Sequence, residues 1–343
     1  MTERKPVLCV VSPCYNEAEV IRRFYDALKP VLAGLAGVDH RILLVDDGSR
    51  DATLDRLDEI AAADERVLVY SLSRNFGHQI AISAGIDRAR GDAVVVMDSD
   101  LQHPPSLIPE MVRLWREEGY DVVSAVRKST EDATLFKRLS SEGFYVVLNW
   151  LSDTRIEPGA ADFCLLSRRA RRALASMPER HRFVRGLIAW MGFRRAFLPY
   201  VAPERAAGRS KYSLGKMLKL AFDAVFAFSV TPIRTATRFG LGIAFLGGLY
   251  LLYVVGRAVV LRDTEPGWGS LLSTVLVLGG LQLVFIGLMG EYLARVFEQV
   301  KGRPLYLFKQ TPARRRGARR DDRAGQSAAP ATPATPATAN EHP

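Results

Sequence analysis

Two long uncharged stretches in the second half of the chain most restrict how its 343 residues can fold. No charged residue lies between Arg238 and Arg257, and none lies from Pro266 to Gly290. A membrane-spanning helix needs roughly 20 apolar residues, so the second stretch is long enough outright. The first is long enough if Arg257 snorkels to the interface. We therefore predict a two-helix transmembrane hairpin over residues 235–295, with two buried helices of a soluble core as the alternative.

Basic residues indicate how this hairpin is oriented. They cluster before the first stretch and after the second, whereas the connecting turn carries few. By the positive-inside rule, both termini are expected to be cytoplasmic, in an integral protein of the inner (cell) membrane. The basic tail, residues 296–343, ends in Ala, Thr and Pro repeats and is expected to be largely disordered. The formal net charge of +10 fits an anionic membrane or phosphate partner, and no motif supports nucleic-acid binding.

Residues 1–211 alternate strand and helix patterns, which predicts an α/β domain on the cytoplasmic side. Near-continuous apolar strands favour a mostly parallel sheet with helices on both faces. Ligands bind such sheets at the carboxyl ends of the strands. Residues 212–234 follow as a predicted interfacial amphipathic helix. The predicted strands are 7–12, 41–46, 67–72, 93–97 and 121–126, and the predicted helices are 18–32, 52–63, 78–89 and 106–117.

Oxygen-bearing side chains stand at the end of the fourth predicted strand. Asp98, Asp100 and Gln102 are spaced two apart there. Carboxylates combined with substrate phosphate oxygens suit Mg²⁺ or Mn²⁺, although Asp pairs are also common in turns. The second strand ends in Asp46 and Asp47, which could form an Asx turn or helix cap, or accept hydrogen bonds from base and ribose.

Several other chemistries lack their sequence signals. No Rossmann glycine fingerprint, Walker A loop or Gly-x-Ser-x-Gly elbow is present. His78 has no partners spaced for zinc, and a local structural role is favoured for it. Cys9, Cys14 and Cys164 lack metal-ligand spacing and are expected to be reduced, buried or semi-buried thiols.

The ordered series of motifs resembles family 2 glycosyltransferases with the GT-A fold, over roughly residues 7–308. The first three motifs are Val-Val-Ser-Pro-Cys-Tyr-Asn-Glu, Leu-Val-Asp-Asp-Gly-Ser-Arg-Asp and Met-Asp-Ser-Asp-Leu-Gln-His-Pro-Pro. Asn-Phe-Gly-His-Gln, Ala-Asp-Phe and Gly-Arg-Ser-Lys-Tyr are more narrowly similar to polyprenyl-phosphate glycosyltransferases. That group includes bactoprenol glucosyltransferases and dolichol-phosphate mannose synthases, and the C-terminal segment looks most like the bactoprenol branch.

The resemblance implies a nucleotide-sugar donor, a divalent metal and a polyprenyl phosphate acceptor in the membrane. Asp98, Asp100 and Gln102 match the metal and diphosphate motif, and Asp162 matches an acidic position proposed near the acceptor. Asp100 and Asp162 are therefore the expected catalytic residues. Asp98 is also expected at the nucleotide-sugar, with the loop residues Pro13, Tyr15, Glu17 and Asp47. The expected phosphate and acceptor contacts are Arg127, Arg205, Arg209 and Lys211.

The predicted function is inverting transfer of a sugar to polyprenyl phosphate at the cytoplasmic membrane face, for glycan modification. UDP-glucose is the favoured donor, from the branch resemblance alone. Asp162 could orient the acceptor, take a residual proton or position a sugar hydroxyl. The alternatives are a GDP-mannose-dependent mannosyltransferase and a catalytically silent membrane scaffold that binds nucleotide-sugar. Glycines in the predicted spans would permit a homo-oligomer.

Overall fold

The structure is a computed structural model that describes residues 4–127, 157, 159–180, 182–201, 231–261 and 267–309. Its strands are Val7–Cys14 (β1), Asp39–Asp46 (β2), Val67–Ser71 (β3), Ala93–Val96 (β4), Val122–Arg127 (β5), Ala160–Ser167 (β6) and Arg195–Tyr200 (β7). Its helices are Ile21–Ala33 (α1), Thr53–Ala63 (α2), His78–Arg88 (α3), Ile108–Glu117 (α4), Arg168–Ser176 (α5), Val184–Trp190 (α6), Thr231–Leu261 (α7) and Trp268–Val300 (α8).

The seven strands form one mixed, mostly parallel sheet in the order β3-β2-β1-β4-β6-β5-β7. Strand β1 lies between β2 and β4 and pairs with both in parallel. The carboxyl ends of these three strands therefore meet at one edge, which we call the catalytic edge. The loops that carry the predicted donor and metal motifs follow these same three strands.

Strand β6 is the exception in direction, since it runs antiparallel to both β4 and β5. Val96 pairs with Cys164 in this register. Continuing the register by two residues places Asp162 opposite Asp98. The antiparallel strand thus brings its amino end to the catalytic edge, where the parallel strands have their carboxyl ends.

Apolar side chains cover both faces of the sheet. One core cluster joins the sheet to α1, α2 and α4, and the other joins it to α3, α5 and α6. Cys9, Cys14 and Cys164 are free and buried within these clusters. Burial raises the pKa of the Cys9 thiol to about 11, so the thiol is uncharged at neutral pH. The prediction of buried thiols is confirmed.

Helices α7 and α8 present many large apolar side chains to the outside, among them Phe239, Leu246 and Leu283, which are 61%, 65% and 71% exposed. By length and composition, Leu278–Val300 is the one stretch within the described residues that could cross a membrane. It overlaps the C-terminal part of the second predicted span. The first predicted span lies in the continuous helix α7, and its crossing of a membrane stays a prediction.

The α/β class and the mostly parallel sheet are confirmed, and all nine predicted elements of residues 1–127 have counterparts. Their bounds shift by a few residues, as when α1 begins at Ile21 rather than Ala18. Strands β6 and β7 and helices α5 and α6 were not predicted. Of the predicted interfacial amphipathic helix over 212–234, residues 212–230 lie outside the described residues, and residues 231–234 belong to α7. The Ala-Thr-Pro tail also lies outside the described residues.

Gly85 sets how closely α3 approaches the sheet. A Cβ atom there would lie 3.2 Å from Val45 Cγ2 and closer still to Val11 Cγ1. Both neighbours are β-branched side chains on buried strands, so they cannot rotate away cheaply. A glycine in mid-helix is therefore required by packing rather than by backbone conformation.

We predict that Gly85→Ala lowers the free energy of unfolding by about 1–3 kcal/mol, because overpacking outweighs the gain in helix propensity. Urea unfolding of the detergent-solubilised protein measures this. Gly34→Ala is the matched control, since a Cβ there meets only ordinary contacts at 3.5 Å and should change stability by less than about 0.5 kcal/mol. Equal effects of the two substitutions would contradict the packing argument.

Candidate active site

The loops after β1 and β2 are joined by reciprocal hydrogen bonds. The Asn16 amide donates to Ser49 Oγ at 3.0 Å, and the Arg50 amide donates to Asn16 Oδ1 at 3.0 Å. The Glu17 amide donates to Thr53 Oγ1 at 2.8 Å. Asn16 adopts φ 54°, a left-handed conformation that Asn tolerates. These bonds fix the backbone of Glu17, and the neighbouring Tyr15 is 38% exposed.

The two adjacent acids after β2 hold the backbone of their surroundings. Asp46 accepts from the Ser49 amide at 3.0 Å and from Ser71 Oγ at 2.7 Å. Asp47 accepts from the amides of Phe76 and Gly77 at 2.7 and 2.9 Å, one on each carboxylate oxygen. Burial raises the pKa of Asp47, and the two amide bonds oppose that rise. Asp47 therefore fixes the loop that leads into α3.

Gly48 permits a close approach between this turn and the loop after β3. Its φ is +67°, and a Cβ there would lie 2.7 Å from the Asn75 amide nitrogen. Any other residue would strain the turn and push the two loops apart. The Asp-Asp-Gly-Ser sequence thus places a carboxylate and a glycine where the second and third loops meet.

The Asp-Ser-Asp-Leu-Gln-His segment after β4 forms a compact turn. Ser99 is buried and donates through Oγ to the Pro13 carbonyl at 3.1 Å, which joins the turn to β1. Asp100 Oδ1 accepts from the Gln102 amide at 3.0 Å. Leu101 adopts φ 64° and reverses the chain between Asp100 and Gln102. Pro13 therefore contributes a backbone oxygen to the structure of the turn.

His103 supports the first acid of this turn. The Asp98 amide donates to His103 Nδ1 at 2.9 Å, so that nitrogen is the acceptor of the bond. The ring is buried and stacks on Phe163, with ring centroids 5.1 Å apart. The contact of His103 with the backbone of Asp98 could not be inferred from the sequence.

His78 lies between two carboxylates at the centre of the catalytic edge. Its Nε2 is 3.4 Å from Asp98 Oδ1 and 3.5 Å from Asp162 Oδ2. Desolvation acts to lower the pKa of His78, but the carboxylates of Asp162 and Asp98 outweigh it, so this pKa is raised. The imidazole thus bridges the two candidate acids, which is a structural role that reaches beyond its own helix.

Asp162 is held by two residues that sequence reasoning missed. Arg185 Nε lies 3.0 Å from Asp162 Oδ1, and Gln79 Nε2 donates to Asp162 Oδ2 at 2.9 Å. Gln79 Oε1 in turn accepts from the Val184 amide at 2.9 Å, which connects α3 to α6. Burial would raise the pKa of Asp162, but Arg185 and His78 hold it at about 2. Asp162 is consequently an ionised carboxylate at any physiological pH.

Asp98 differs from Asp162 in its surroundings. Oδ1 of both acids is buried without a hydrogen bond among the described residues. Asp162 Oδ1 lies 3.0 Å from the Arg185 guanidinium, whereas Asp98 Oδ1 lies 3.4 Å from the His78 imidazole. Burial raises the pKa of Asp98, although His78 and His103 oppose the rise. A cation at this carboxylate would offset both its desolvation and the repulsion from Asp162.

The described residues contain no group of three His, Cys, Asp or Glu side chains arranged to hold a metal ion. The predicted set has only two carboxylates, Asp98 and Asp100, with Gln102 as an amide donor. Such a sparse set is typical of Mg²⁺ sites, which rely on waters and substrate phosphates for the remaining ligands. The donor set therefore fits a metal that binds together with a diphosphate.

The candidate cationic residues fall into two groups. Arg127 is exposed at the carboxyl end of β5, where its backbone pairs with Tyr200 of β7. Arg205, Arg209 and Lys211 lie outside the described residues. Of the predicted acceptor contacts, the structure thus places only Arg127, at the same edge as Asp98 and Asp162.

Comparisons with known proteins place this chain in a family. The model described as glycosyl transferase family 2 matches residues 9–173. An uncharacterized glycosyltransferase of Synechocystis sp. is 40% identical over 300 residues, which covers 88% of this chain and 94% of the relative. A prophage-derived bactoprenol glucosyl transferase of Shigella flexneri is 36% identical over 304 residues, with 89% and 98% covered.

Similarity to solved structures is more distant. A Pyrobaculum calidifontis mannosyltransferase in complex with GDP-Man and Mn²⁺ aligns at 16% identity and a TM-score of 0.41, with 88% of this chain and 89% of that chain covered. This likeness is too distant to inform the substrate.

We predict that Arg185→Met lowers the free energy of unfolding by about 3 kcal/mol at pH 7, because it leaves a buried carboxylate without its main counter-charge. A carboxyl group whose pKa is depressed stabilises the fold above its ordinary pKa of 3.8 and loses this effect as the pH falls toward 2. The difference in the free energy of unfolding between the wild type and the variant should therefore shrink between pH 5 and pH 3. Urea unfolding at several pH values measures it.

Arg113→Met is the matched control, since Arg113 pairs with Glu110 and Glu118 on an exposed helix face. It should change stability little, because exposed ion pairs contribute little. A deficit for Arg185→Met that stays constant down to pH 3 would contradict the role given to the Asp162 charge.

Proposed function

Because the chain belongs to glycosyl transferase family 2, we propose that it transfers a sugar from a nucleotide-sugar to a polyprenyl phosphate. The observation that carries the proposal is the pairing geometry that sets Asp98 of the Asp-Ser-Asp turn against Asp162. Relatives named bactoprenol glucosyl transferases, aligned over nearly their whole length, support a polyprenyl acceptor and glucose as the sugar. UDP-glucose is accordingly the proposed donor.

The donor would bind along the carboxyl ends of β1, β2 and β4. Tyr15 and Glu17 line the first loop, and Asp47 shapes the second by fixing the Phe76 and Gly77 amides. Asp98 and Asp100, with Gln102, would hold a Mg²⁺ or Mn²⁺ ion. Such an ion supplies charge neutralisation as the diphosphate leaves. Asp98 fits that role better than Asp162, whose carboxylate is already paired with Arg185.

The proposed reaction is a single displacement at the anomeric carbon. An oxygen of the lipid phosphate forms a bond to that carbon while the bond to the diphosphate oxygen breaks on the opposite face, so configuration inverts. A phosphate monoester has a second pKa of about 6, and its attacking oxygen therefore carries no proton at neutral pH. The step needs no strong general base.

Asp162 would act as a fixed negative charge rather than as a base. Its pKa of about 2 lies far below the range suited to proton abstraction at neutral pH. Gln79 and Arg185 hold the carboxylate in one orientation. We therefore assign it to orienting a sugar hydroxyl or the cations that receive the acceptor.

The acceptor phosphate would reach this acidic edge with cationic side chains between them. Arg127 is exposed at the edge, and Arg205, Arg209 and Lys211 are proposed to complete the set near the bilayer. Guanidinium groups match phosphate oxygens well and remain charged at all relevant pH values. The apolar surfaces of α7 and α8 would anchor the enzyme in the inner membrane, with the catalytic edge on the cytoplasmic side.

We predict that the purified protein forms lipid-linked sugar from polyprenyl phosphate and UDP-glucose, and that a chelator abolishes the product. Asp100→Ala should lower kcat/KM by roughly 10²-fold or more, because it removes charge stabilisation in the transition state. A panel of labelled UDP- and GDP-sugars measures donor choice. Lys29→Ala, on the far side of the domain, is the control.

Each outcome of this assay has a distinct meaning. Product from GDP-mannose alone would contradict the proposed donor and favour a mannosyltransferase. Full activity of Asp100→Ala would contradict the metal assignment. No product with any donor, from protein that still binds nucleotide-sugar, would favour the scaffold alternative.

We also predict that the acidic limb of kcat/KM lies near pH 6, because the second ionisation of the acceptor phosphate controls it. Asp162, with a pKa of about 2, should contribute no limb above pH 4. Asp162→Asn should therefore lower the rate and leave the limb in place. Loss of the limb in that variant would instead identify Asp162 as the general base.

A further inference from the structure

The segment that follows α8 runs back along the outer edge of the sheet. We call residues 301–309 the strap. The Ser73 amide donates to the Leu307 carbonyl at 2.8 Å, and the Lys309 amide donates to the Ser71 carbonyl at 2.8 Å. Leu72 and Phe308 form the antiparallel bridge between these bonds. The strap thus adds a short strand to β3, which otherwise ends the sheet on that side.

Aromatic side chains hold the strap in place. The Phe308 ring packs on Tyr70 of β3 and on Tyr306, with ring centroids 5.2 and 5.1 Å apart. The Arg88 guanidinium lies over the Phe308 ring, 4.8 Å from its centroid. Tyr306 also donates from its hydroxyl to Asp87 Oδ2 at 2.8 Å. Both Asp87 and Arg88 belong to the last turn of α3, so the strap contacts β3 and α3 together.

The end of α8 has its own attachment to the same domain. Gln299 Nε2 donates to the Pro178 carbonyl at 2.9 Å, and the Arg180 amide donates to Gln299 Oε1 at 3.1 Å. Arg180 also donates to the Arg303 carbonyl at 2.5 Å. The strap is therefore fixed at both ends, by the segment after α5 and by β3.

The strap is hydrogen-bonded to Ser71 and Ser73, where β3 ends at the catalytic edge and the loop toward α3 begins. Ser71 donates through its hydroxyl to Asp46, and Ser73 begins the loop whose Phe76 and Gly77 amides bind Asp47. Residues 73–77, which we call the donor loop, lead directly into His78. The strap accepts a hydrogen bond from the Ser73 amide, and Asp47 accepts hydrogen bonds from the Phe76 and Gly77 amides. The donor loop is therefore held from two sides.

We propose that Tyr306 and Phe308 are positioning residues for the donor half of the site. This inference rests on the proposed function. By holding the donor loop against Asp47, they keep the nucleotide pocket formed, although they lie about 260 positions away from Asp47 along the chain. The long apolar helix α8 and the donor pocket are thereby connected through one nine-residue segment, 301–309.

Two substitutions test the strap in the full-length protein in detergent or nanodiscs. Phe308→Ala removes the aromatic anchor, and Lys309→Pro removes the amide that donates to Ser71. Lys309→Ala is the matched control, since it keeps that amide. Leu307→Ala is the second control, because the Leu307 side chain is 56% exposed.

Hydrogen exchange and kinetics are measured on the same samples. In Phe308→Ala and Lys309→Pro, the amides of Ser73, Phe76 and Gly77 should exchange at least roughly tenfold faster. The KM for the donor should rise roughly five- to tenfold, with kcat at saturating donor and the KM for the acceptor changed less than about twofold. The two controls should resemble the wild type in every measurement.

A purely structural role would lower thermal stability and active fraction without changing the donor KM, and that result would overturn the proposal. Unchanged exchange of the donor loop in Lys309→Pro would overturn it too. If Phe308→Ala fails to fold, Tyr306→Phe and Lys309→Pro decide the question. If wild-type protein transfers no sugar, the proposed function fails, while the exchange comparison still decides whether the strap holds the loop.

Discussion

The antiparallel pairing of β4 with β6 is the constraint on which the catalytic edge depends. It sets Asp98 against Asp162, and two carboxylates at this spacing repel unless positive charge lies between them. The chain supplies His78 from the start of α3 and Arg185 from α6. Asp162 is paired with the Arg185 guanidinium, whereas Asp98 shares the His78 imidazole with it and pairs with no arginine among the described residues. Asp162 is thus a fixed charge of the protein, and in the proposed function Asp98 is the acid that binds a ligand.

Hydrogen bonds from side chains to the backbone fix the loops around these two acids. Asp46 and Asp47 are adjacent in sequence, yet each fixes a different stretch of chain. Ser99 attaches the Asp-Ser-Asp turn to β1 through the Pro13 carbonyl, and His103 accepts a hydrogen bond from the Asp98 amide. Several side chains in these motifs thus hold the backbone of the loops in place. The strap continues this pattern from a part of the chain that the motifs do not include.

Most of the sheet could be predicted from sequence because β1 to β5 are short apolar runs that alternate with amphipathic helices. The three motif loops could be expected together because parallel strands share a carboxyl edge. Strand β6 could not, since its apolar residues carry no sign of strand direction, and its antiparallel register is what brings Asp162 to the site. Gln79, His103 and Arg185 were missed for a related reason: each acts through a tertiary contact with a residue far away in sequence. The sequence of this C-terminal segment resembles the family, but its pairing with the edge of the sheet could not be predicted. The β-bridge between Leu72 and Phe308 joins residues that are far apart along the chain.

Gly48 has a consequence for how this scaffold can vary. The hydrogen atom in place of a side chain lets the backbone of residues 74 and 75 close over the turn after β2. In the proposed function, the floor of the donor site is therefore made by two touching main chains, whose shape does not change when surrounding side chains do. Discrimination between nucleobases would then come from exposed side chains such as Tyr15, and a redesign of donor choice should begin there.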